Sequence, residues 1–237
     1  MSGDRAGVVH PGGVIPQRVV DKVVARRGRL HVYETLDADR AALVVIDLDE
    51  GSCRRDERSG EAIGRVNDVA SALRAAGGVV AFVTSEVVDP EAMADRLGPD
   101  AARAYFEETR PGGIGTVLDT RLDVEISDVH AVKTGASAFF PGRCDLHDRL
   151  QARGVDTILI VGMVTNVCCE SSARDACELG YKVTMISDAN LGHSWGLHEA
   201  SLTTFFRVFG DVRPSDDVIS LITTAADAPE QHSESRR

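Results

Sequence analysis

The sequence predicts an α/β protein in which helices cover both faces of a mostly parallel β-sheet. Apolar runs such as residues 42–47 and 157–163 contain few polar residues, which is typical of strands buried on both faces. Segments with apolar residues at helical spacing alternate with these runs, as in sheets built from β–α–β units. With 237 residues, of which 43% are hydrophobic and 27% charged, the chain can form the core of one large domain.

The first part of the chain alternates between the two patterns. Four valines recur at helical spacing within residues 17–27 and predict a short helix there. The first strand, at 42–47, ends in an acidic residue. The following helix, at 61–76, ends at two glycines, as helices often do. The apolar run at 79–84 predicts a second buried strand.

The rest of the chain continues the alternation, with Pro and Gly marking the loops. The expected strands lie at 130–133, 157–163 and 182–187. The expected helices lie at 89–108 (interrupted), 145–153, 168–179, 197–208 and 216–225. The expected loops lie at 109–116 and 134–143.

Composition divides the chain into a main domain and two extensions. Residues 1–40 form an N-terminal arm that is rich in Gly and Pro at its start and carries the short helix. Residues 41–227 form the main domain, because no linker or repeat interrupts them. Residues 228–237 are polar and charged, and we expect them to be disordered.

Charge and cysteine content exclude several classes of function. The formal net charge is −11, which argues against nucleic acid and anionic membranes as partners. The start of the chain shows no secretory signal, and no apolar run approaches the ~20 residues of a membrane span. Five cysteines, an odd number without metal-type spacing, fit reduced thiols better than a disulfide framework. We therefore expect a cytoplasmic protein with a small-molecule ligand.

Three chemically active residues occur where strands are expected to end, at the edge of a parallel sheet where ligands bind. They are Asp47, Lys133 and Cys168. A nearby ammonium and a helix N-terminus favour the nucleophilic thiolate of a cysteine, and a carboxylate can move its proton. Taken singly, each has a structural alternative: a packed cysteine, a strand-end or capping acid, and a surface lysine.

The segments around these residues resemble those of the isochorismatase-like cysteine hydrolases. The resemblance covers residues 43–210 and is carried by four segments. They read ALVVID with Asp47, HAVKTGASAFF with Lys133, IVGMVTNVCCESSARDACELGYKV with Cys168, and MISDAN. The third is the most specific.

The resemblance implies a three-layer fold of Rossmann-like topology with a mostly parallel sheet of about six strands. It also implies that Asp47, Lys133 and Cys168 are a catalytic triad that cleaves the C–N bond of a small amide, ureido or N-carbamoyl compound through a thioester. A cis peptide at Met163–Val164 would direct the backbone N–H groups of Val164 and Cys168 at the oxyanion. A homodimer or homotetramer is implied as well.

The sequence departs from the family pattern in two places. Asp49 and Glu50 follow the first acid where relatives carry other residues. They either contact a polar or cationic part of the substrate or pair with Arg54 or Arg55. Residues 85–90 lack the histidines with which family nicotinamidases hold a metal, so we expect neither metal nor cofactor. Retention of Cys168 argues against the isochorismate-type vinyl-ether hydrolases, which lack it.

Further residues are candidates for the pocket wall, though some could equally be core or subunit contacts. These substrate-binding candidates are Arg110, Phe139, Phe140, Asn190, His193 and Trp195. Cys169 follows the nucleophile directly, and we interpret it as a packing residue rather than a redox partner. The alternatives to an amidohydrolase are a non-catalytic scaffold or thiol sensor and, more weakly, a vinyl-ether hydrolase.

Overall fold

The computed structural model describes residues 14–87 and 89–226. The tail predicted to be disordered, residues 228–237, lies outside this part of the chain, as do the first thirteen residues of the predicted arm. The described helices include none that is long and apolar enough to cross a membrane.

The described residues form one six-stranded sheet in which all neighbouring strands are parallel. The strand order is β3-β2-β1-β4-β5-β6, that of a doubly wound sheet. The strands are β1 (Ala41–Ile46), β2 (Val79–Ser85), β3 (Val129–Lys133), β4 (Thr157–Met163), β5 (Lys182–Leu191) and β6 (Asp211–Arg213). The predicted three-layer α/β fold is confirmed, and the sheet is wholly parallel.

Nine α-helices connect and cover the strands within the described part of the chain. They are α1 (Gln17–Arg27), α2 (Glu50–Cys53), α3 (Ser59–Ala75), α4 (Pro90–Leu97), α5 (Pro99–Thr109), α6 (Leu146–Gln151), α7 (Glu170–Glu178), α8 (Trp195–Val208) and α9 (Ser215–Ala226). The interruption expected within 89–108 is real, because Gly98 separates α4 from α5.

Strand β1 shows why the sheet is buried on both faces. All six of its residues are fully buried, and alternate side chains enter different clusters because successive Cβ atoms point to opposite faces. Val44 and Ile46 pack with residues of α7 and α8, whereas Leu43 and Val45 pack with residues of α3 and α9. Full burial of each such side chain contributes about 1.5–3 kcal/mol.

Two short elements were not predicted from the sequence. Strand β6 has three residues with a single apolar side chain, Val212, so it carries no apolar run. Helix α2 has four residues, too few for a helical pattern.

The helix of the N-terminal arm packs on the main domain. Val20 and Val23 of α1 are buried in the same cluster as the α8 residues Leu202 and Phe206. Arg27 donates a 2.7 Å hydrogen bond to the carbonyl of Phe206 near the end of α8, where cations interact favourably with the helix dipole.

Candidate active site

The three strand-end residues meet at the carboxyl edge of the sheet. Asp47 follows β1, Lys133 is the last residue of β3, and Cys168 lies in the turn after β4. The Lys133 Nζ atom is 2.8 Å from Asp47 Oδ2 and 3.4 Å from Cys168 Sγ. The sheet thus brings together three residues that are far apart in the sequence.

A turn of the backbone at Asp47 directs this side chain out of the strand. The residue has a φ of 51°, in the left-handed region that Asp tolerates better than most residues. Its N–H still donates a 2.9 Å bond to the carbonyl of Val83 on β2. Asp47, which was predicted as the last residue of the strand, therefore lies one residue beyond the end of β1, and its backbone is anchored with the carboxylate at the sheet edge.

Close approach of β1 and β4 requires a glycine at position 162. Gly162 pairs with Ile46 and has a φ of +123°. A Cβ atom here would lie 2.0 Å from the Ile46 carbonyl oxygen, which no side chain can tolerate. This glycine lets the segment that carries Cys168 leave β4 directly beside Asp47.

Cys168 lies in a π-helical turn rather than at the start of an α-helix. The turn spans Thr165–Cys169 and precedes α7, so the prediction of a helix beginning at Cys168 was wrong in this detail. The peptide bond Met163–Val164 is cis, as the family resemblance implied. The Val164 carbonyl accepts hydrogen bonds from the N–H groups of Val167 and Cys169 and thereby closes the turn.

Buried polar side chains hold this turn in place. The Thr165 hydroxyl lies 2.8 Å from Nδ1 of His198, a buried residue of α8. Burial lowers the pKa of His198 to about 4, so the ring is neutral at pH 7, and one hydrogen bond joins it to the Thr165 hydroxyl. Ser172 donates to the carbonyl of Cys168 and accepts from the N–H of Ala138 in the loop after Lys133. The turn is thus tied to two other segments of the site.

Burial and charge set the protonation of the site residues. Burial alone would lower the pKa of Lys133, but the charges of Asp47 and Cys168 outweigh it, and the pKa is raised above its ordinary value. The Cys168 pKa is raised to about 12, chiefly by burial and then by Asp47, while Lys133 lowers it in part. The desolvation of Cys168 thus has a larger effect on this pKa than the nearby ammonium.

Cys169 is fully buried directly beside this group. Burial raises the pKa of its thiol well above the ordinary value. Since thiol exchange requires a thiolate, this supports our interpretation of Cys169 as a packing residue. All five cysteines are free.

Two residues of the site, Ser85 and Tyr105, were not predicted from the sequence. Ser85 ends β2, accepts a 2.5 Å hydrogen bond from Lys133 Nζ and donates a 2.9 Å bond to Asp47 Oδ1. Tyr105 of α5 lies next to them, and its pKa is raised by burial and then by Asp47. A polar residue at the carboxyl end of a buried strand is a signal that could have identified Ser85, whereas no sequence pattern marks Tyr105.

Asp49 and Glu50 have structural partners. Glu50 forms an ion pair with Arg54, with 2.7 Å between Oε2 and the guanidinium nitrogen. Asp49 is buried and caps α2, accepting bonds from the N–H and the hydroxyl of Ser52 at 2.7 and 2.9 Å. Arg55 instead pairs with Glu108. These contacts agree with the alternative in which the two acids bind to the protein itself rather than to a substrate. Glu50 pairs with Arg54 as that alternative states, whereas Asp49 caps a helix instead of pairing with an arginine.

We expect Asp49→Asn to stabilise the protein at neutral pH. Burial raises the pKa of Asp49 from 3.8 to about 6. The contribution of this carboxyl group to the free energy of unfolding is therefore greatest below pH 4, where the group is protonated, and is lost as the pH rises from 4 to 6. Asn caps helices as well as Asp and carries no charge. Urea unfolding should show a gain of about 1–3 kcal/mol at pH 7.5 and almost none at pH 4. An equal gain at both pH values would contradict the assignment.

Three other residues predicted for the pocket wall make contacts within the protein itself. Phe139 is buried in the core and packs edge-on against Tyr181. The Asn190 side-chain amide donates to the carbonyls of Ile160 and Ile186, where it bridges an irregularity between β4 and β5. Phe139 is 2% and Asn190 3% exposed, so the described contacts of both side chains are structural. Arg110 lies half-exposed at the end of α5 and pairs with Glu107.

The remaining candidates lie on the surface. His193 and Trp195 are exposed in the segment before α8 and at its start, and the Trp195 ring lies against that of His198. Phe140 is 55% exposed and lines a cavity of about 780 Å³. Gly135, whose carbonyl accepts a 3.2 Å bond from Lys133 Nζ, lines the same cavity. Gly135 therefore lies between this cavity and the Lys133 ammonium.

Three arginines from different elements also line this cavity. They are Arg96 of α4, Arg143 of the loop after β3 and Arg174 of α7. Two acids, Asp89 and Asp175, share the wall, and Arg174 pairs with Glu170.

Comparison with known proteins agrees with this geometry. An uncharacterized isochorismatase family protein of Bacillus subtilis, YwoC, is 31% identical over 193 residues, which are 79% of this chain and 96% of that protein. A ureidoacrylate amidohydrolase, RutB of Agrobacterium fabrum, is 36% identical over 107 residues, 44% of this chain and 46% of that protein. A solved cysteine hydrolase from Pseudomonas syringae superposes with a TM-score of 0.73 at 28% identity, covering 83% of this chain and 99% of that one.

The family model agrees with the individual relatives. The model of the isochorismatase domain matches residues 41–217, which include all six strands and each of the three strand-end residues. The match ends within α9 and excludes the arm helix α1. The chain therefore belongs to the isochorismatase family of hydrolases.

Proposed function

We propose that the protein is a metal-independent cysteine hydrolase that cleaves a C–N bond of a small amide, ureido or N-carbamoyl compound. The observation that carries the proposal is the contact of one thiol, Cys168, with a buried ion pair of Lys133 and Asp47. Burying an ion pair costs desolvation free energy. Such a pair beside a cysteine, at the sheet edge where ligands bind, is typical of a catalytic site.

The first half of the reaction forms a thioester. Because the Cys168 pKa is about 12, the resting group is a thiol, and Asp47 acts as general base. As the proton moves to Asp47, the sulfur attacks the carbonyl carbon, and the backbone N–H groups of Val164 and Cys168 receive the developing oxyanion. Asp47 then returns the proton to the leaving nitrogen, the C–N bond breaks and ammonia or an amine departs.

The second half regenerates the thiol. Water gives one proton to Asp47 and attacks the thioester, and the C–S bond breaks with return of that proton to the Cys168 sulfur. The released acid is a carboxylic acid from an amide or a carbamic acid from a ureido compound. Lys133 keeps its charge throughout and stabilises the negative charge that passes between carboxylate and sulfur.

Two observations favour a substrate that also carries a carboxylate. One relative by sequence is a ureidoacrylate amidohydrolase. Independently, Arg96 and Arg143 line the cavity beside Lys133, and guanidinium groups bind carboxylates with two parallel hydrogen bonds.

A panel assay tests the proposed function. We expect ammonia release from ureido and N-carbamoyl acids, with neutral amides of the same size turned over less well. Acid quench during turnover should yield an acyl adduct on the Cys168 peptide in mass spectrometry, and the Cys177→Ala variant should retain it. Isochorismate belongs in the panel, because pyruvate release without ammonia release from any amide would indicate a vinyl-ether hydrolase instead. No turnover of any compound would favour a scaffold or thiol sensor.

A further inference from the structure

Strand β2 separates the strands that carry Asp47 and Lys133. Neighbouring strands lie about 4.8 Å apart, so β1 and β3 are about 10 Å apart across β2. Ser85, the last residue of β2, pairs in register with Lys133. The Lys133 side chain can reach Asp47 only by passing this position, and serine is small enough to leave the path open.

The Ser85 hydroxyl contacts both members of the ion pair. It accepts from Lys133 Nζ at 2.5 Å, so its own proton is free to be donated to Asp47 Oδ1 at 2.9 Å. Lys133 binds the other carboxylate oxygen, Oδ2, at 2.8 Å. Each carboxylate oxygen therefore has one donor. This double attachment fixes the plane of the carboxylate and leaves its remaining lone pairs for the thiol.

Other titratable groups surround the carboxylate. Lys133 of β3 and Cys168 of the π-helical turn contact the ion pair, Asp49 and Cys169 are close enough to interact electrostatically with Asp47, and Tyr105 approaches from α5. Among these groups, Ser85 is the neutral residue that forms hydrogen bonds with both Lys133 and Asp47.

We propose that Ser85 is a positioning residue that orients the Asp47 carboxylate toward the Cys168 thiol. The proposal rests on the proposed function for its consequence, because an oriented carboxylate matters when it accepts the thiol proton. A hydrogen-bond donor stabilises the ionised form of a carboxylate, and its loss favours the protonated form.

The test compares the pH dependence of Ser85→Ala with that of the wild type. We expect kcat/KM on an accepted amide to fall about 10- to 100-fold. In the plot of kcat/KM against pH, the acid limb, where activity falls as the pH is lowered, should move up by about one pH unit. The rate of Cys168 alkylation by iodoacetamide, followed by mass spectrometry, should show the same shift and needs no substrate.

Two variants separate positioning from packing. Ser85→Thr retains the hydroxyl and should restore the wild-type acid limb, while Thr84→Val removes a hydroxyl from the preceding residue of β2 and should leave the limb unchanged. An unshifted limb in Ser85→Ala, or an equal shift in Ser85→Thr, overturns the proposal. If no amide is hydrolysed but the alkylation profile shifts as expected, the proposed function fails and the positioning role stands.

Discussion

Cys168→Ala should abolish hydrolysis without unfolding the protein. Removing the nucleophile of a triad hydrolase costs on the order of 10⁶-fold in kcat, because neighbouring groups cannot substitute for the covalent step. We expect ammonia release to fall by at least about 10⁴-fold, to the detection limit of the assay. The substitution removes a sulfur that accepts one 3.4 Å contact from Lys133, so the loss of folding stability should be small.

The matched control for this variant is Cys177→Ala. Cys177 is a half-buried cysteine of α7 whose sulfur contacts the carbonyl of Phe209, away from the ion pair. Its loss should leave kcat within a few-fold of wild type. Comparable kcat values for Cys168→Ala and wild type would exclude a thioester mechanism, provided that thermal unfolding shows both proteins to be folded.

Lys133→Met should be the most destabilising substitution at the site. Lys133 is 1% exposed and pairs with a carboxylate that is also largely buried. Removing one partner leaves the other charge buried and unpaired, which costs about 3–5 kcal/mol. Activity should fall on the order of 10²- to 10⁴-fold as well, because Asp47 loses its orientation and the thiol loses the cation that lowers its pKa. Urea unfolding and ammonia release measure the two effects.

A double variant distinguishes the loss of the charge pair from a packing defect. In Lys133→Met/Asp47→Asn both charges are gone, so we expect most of the lost stability to return while activity stays absent. Lys182→Met provides the surface control. Lys182 is 54% exposed and lies 3.7 Å from Asp156, and such a pair contributes about 0–1 kcal/mol. Equal destabilisation of the single and double variants would show that shape, rather than charge, dominates at position 133.

Much of the fold follows from local sequence patterns. The runs that form β1, β2, β4 and β5 were predicted to within a few residues, because a strand buried on both faces must be apolar throughout. The interrupted helix was visible from its composition. Strand β6 has no such signal, because its three residues take their structure from the neighbouring strand β5.

The candidate site was predicted in outline. Asp47, Lys133 and Cys168 were identified because each stands in a distinctive motif at a strand end, where a parallel sheet gathers its functional groups. Their catalytic roles, the homo-oligomeric assembly and the cytoplasmic location stay predictions. The residues of the pocket wall also stay predictions, because proximity in sequence to a motif does not say which way a side chain points.

By itself, the sequence determined the fold class, the family and the three residues that meet at the sheet edge, since all of these depend on apolar periodicity and short motifs. Only the tertiary structure decided that burial raises the pKa of Cys168, that Asp49 caps a helix and that Ser85 joins Asp47 to Lys133. The physical reason is that desolvation and charge–charge distance depend on chain segments remote in sequence. Here β2 lies between the strands of the ion pair, and its last residue sets how the two charges meet.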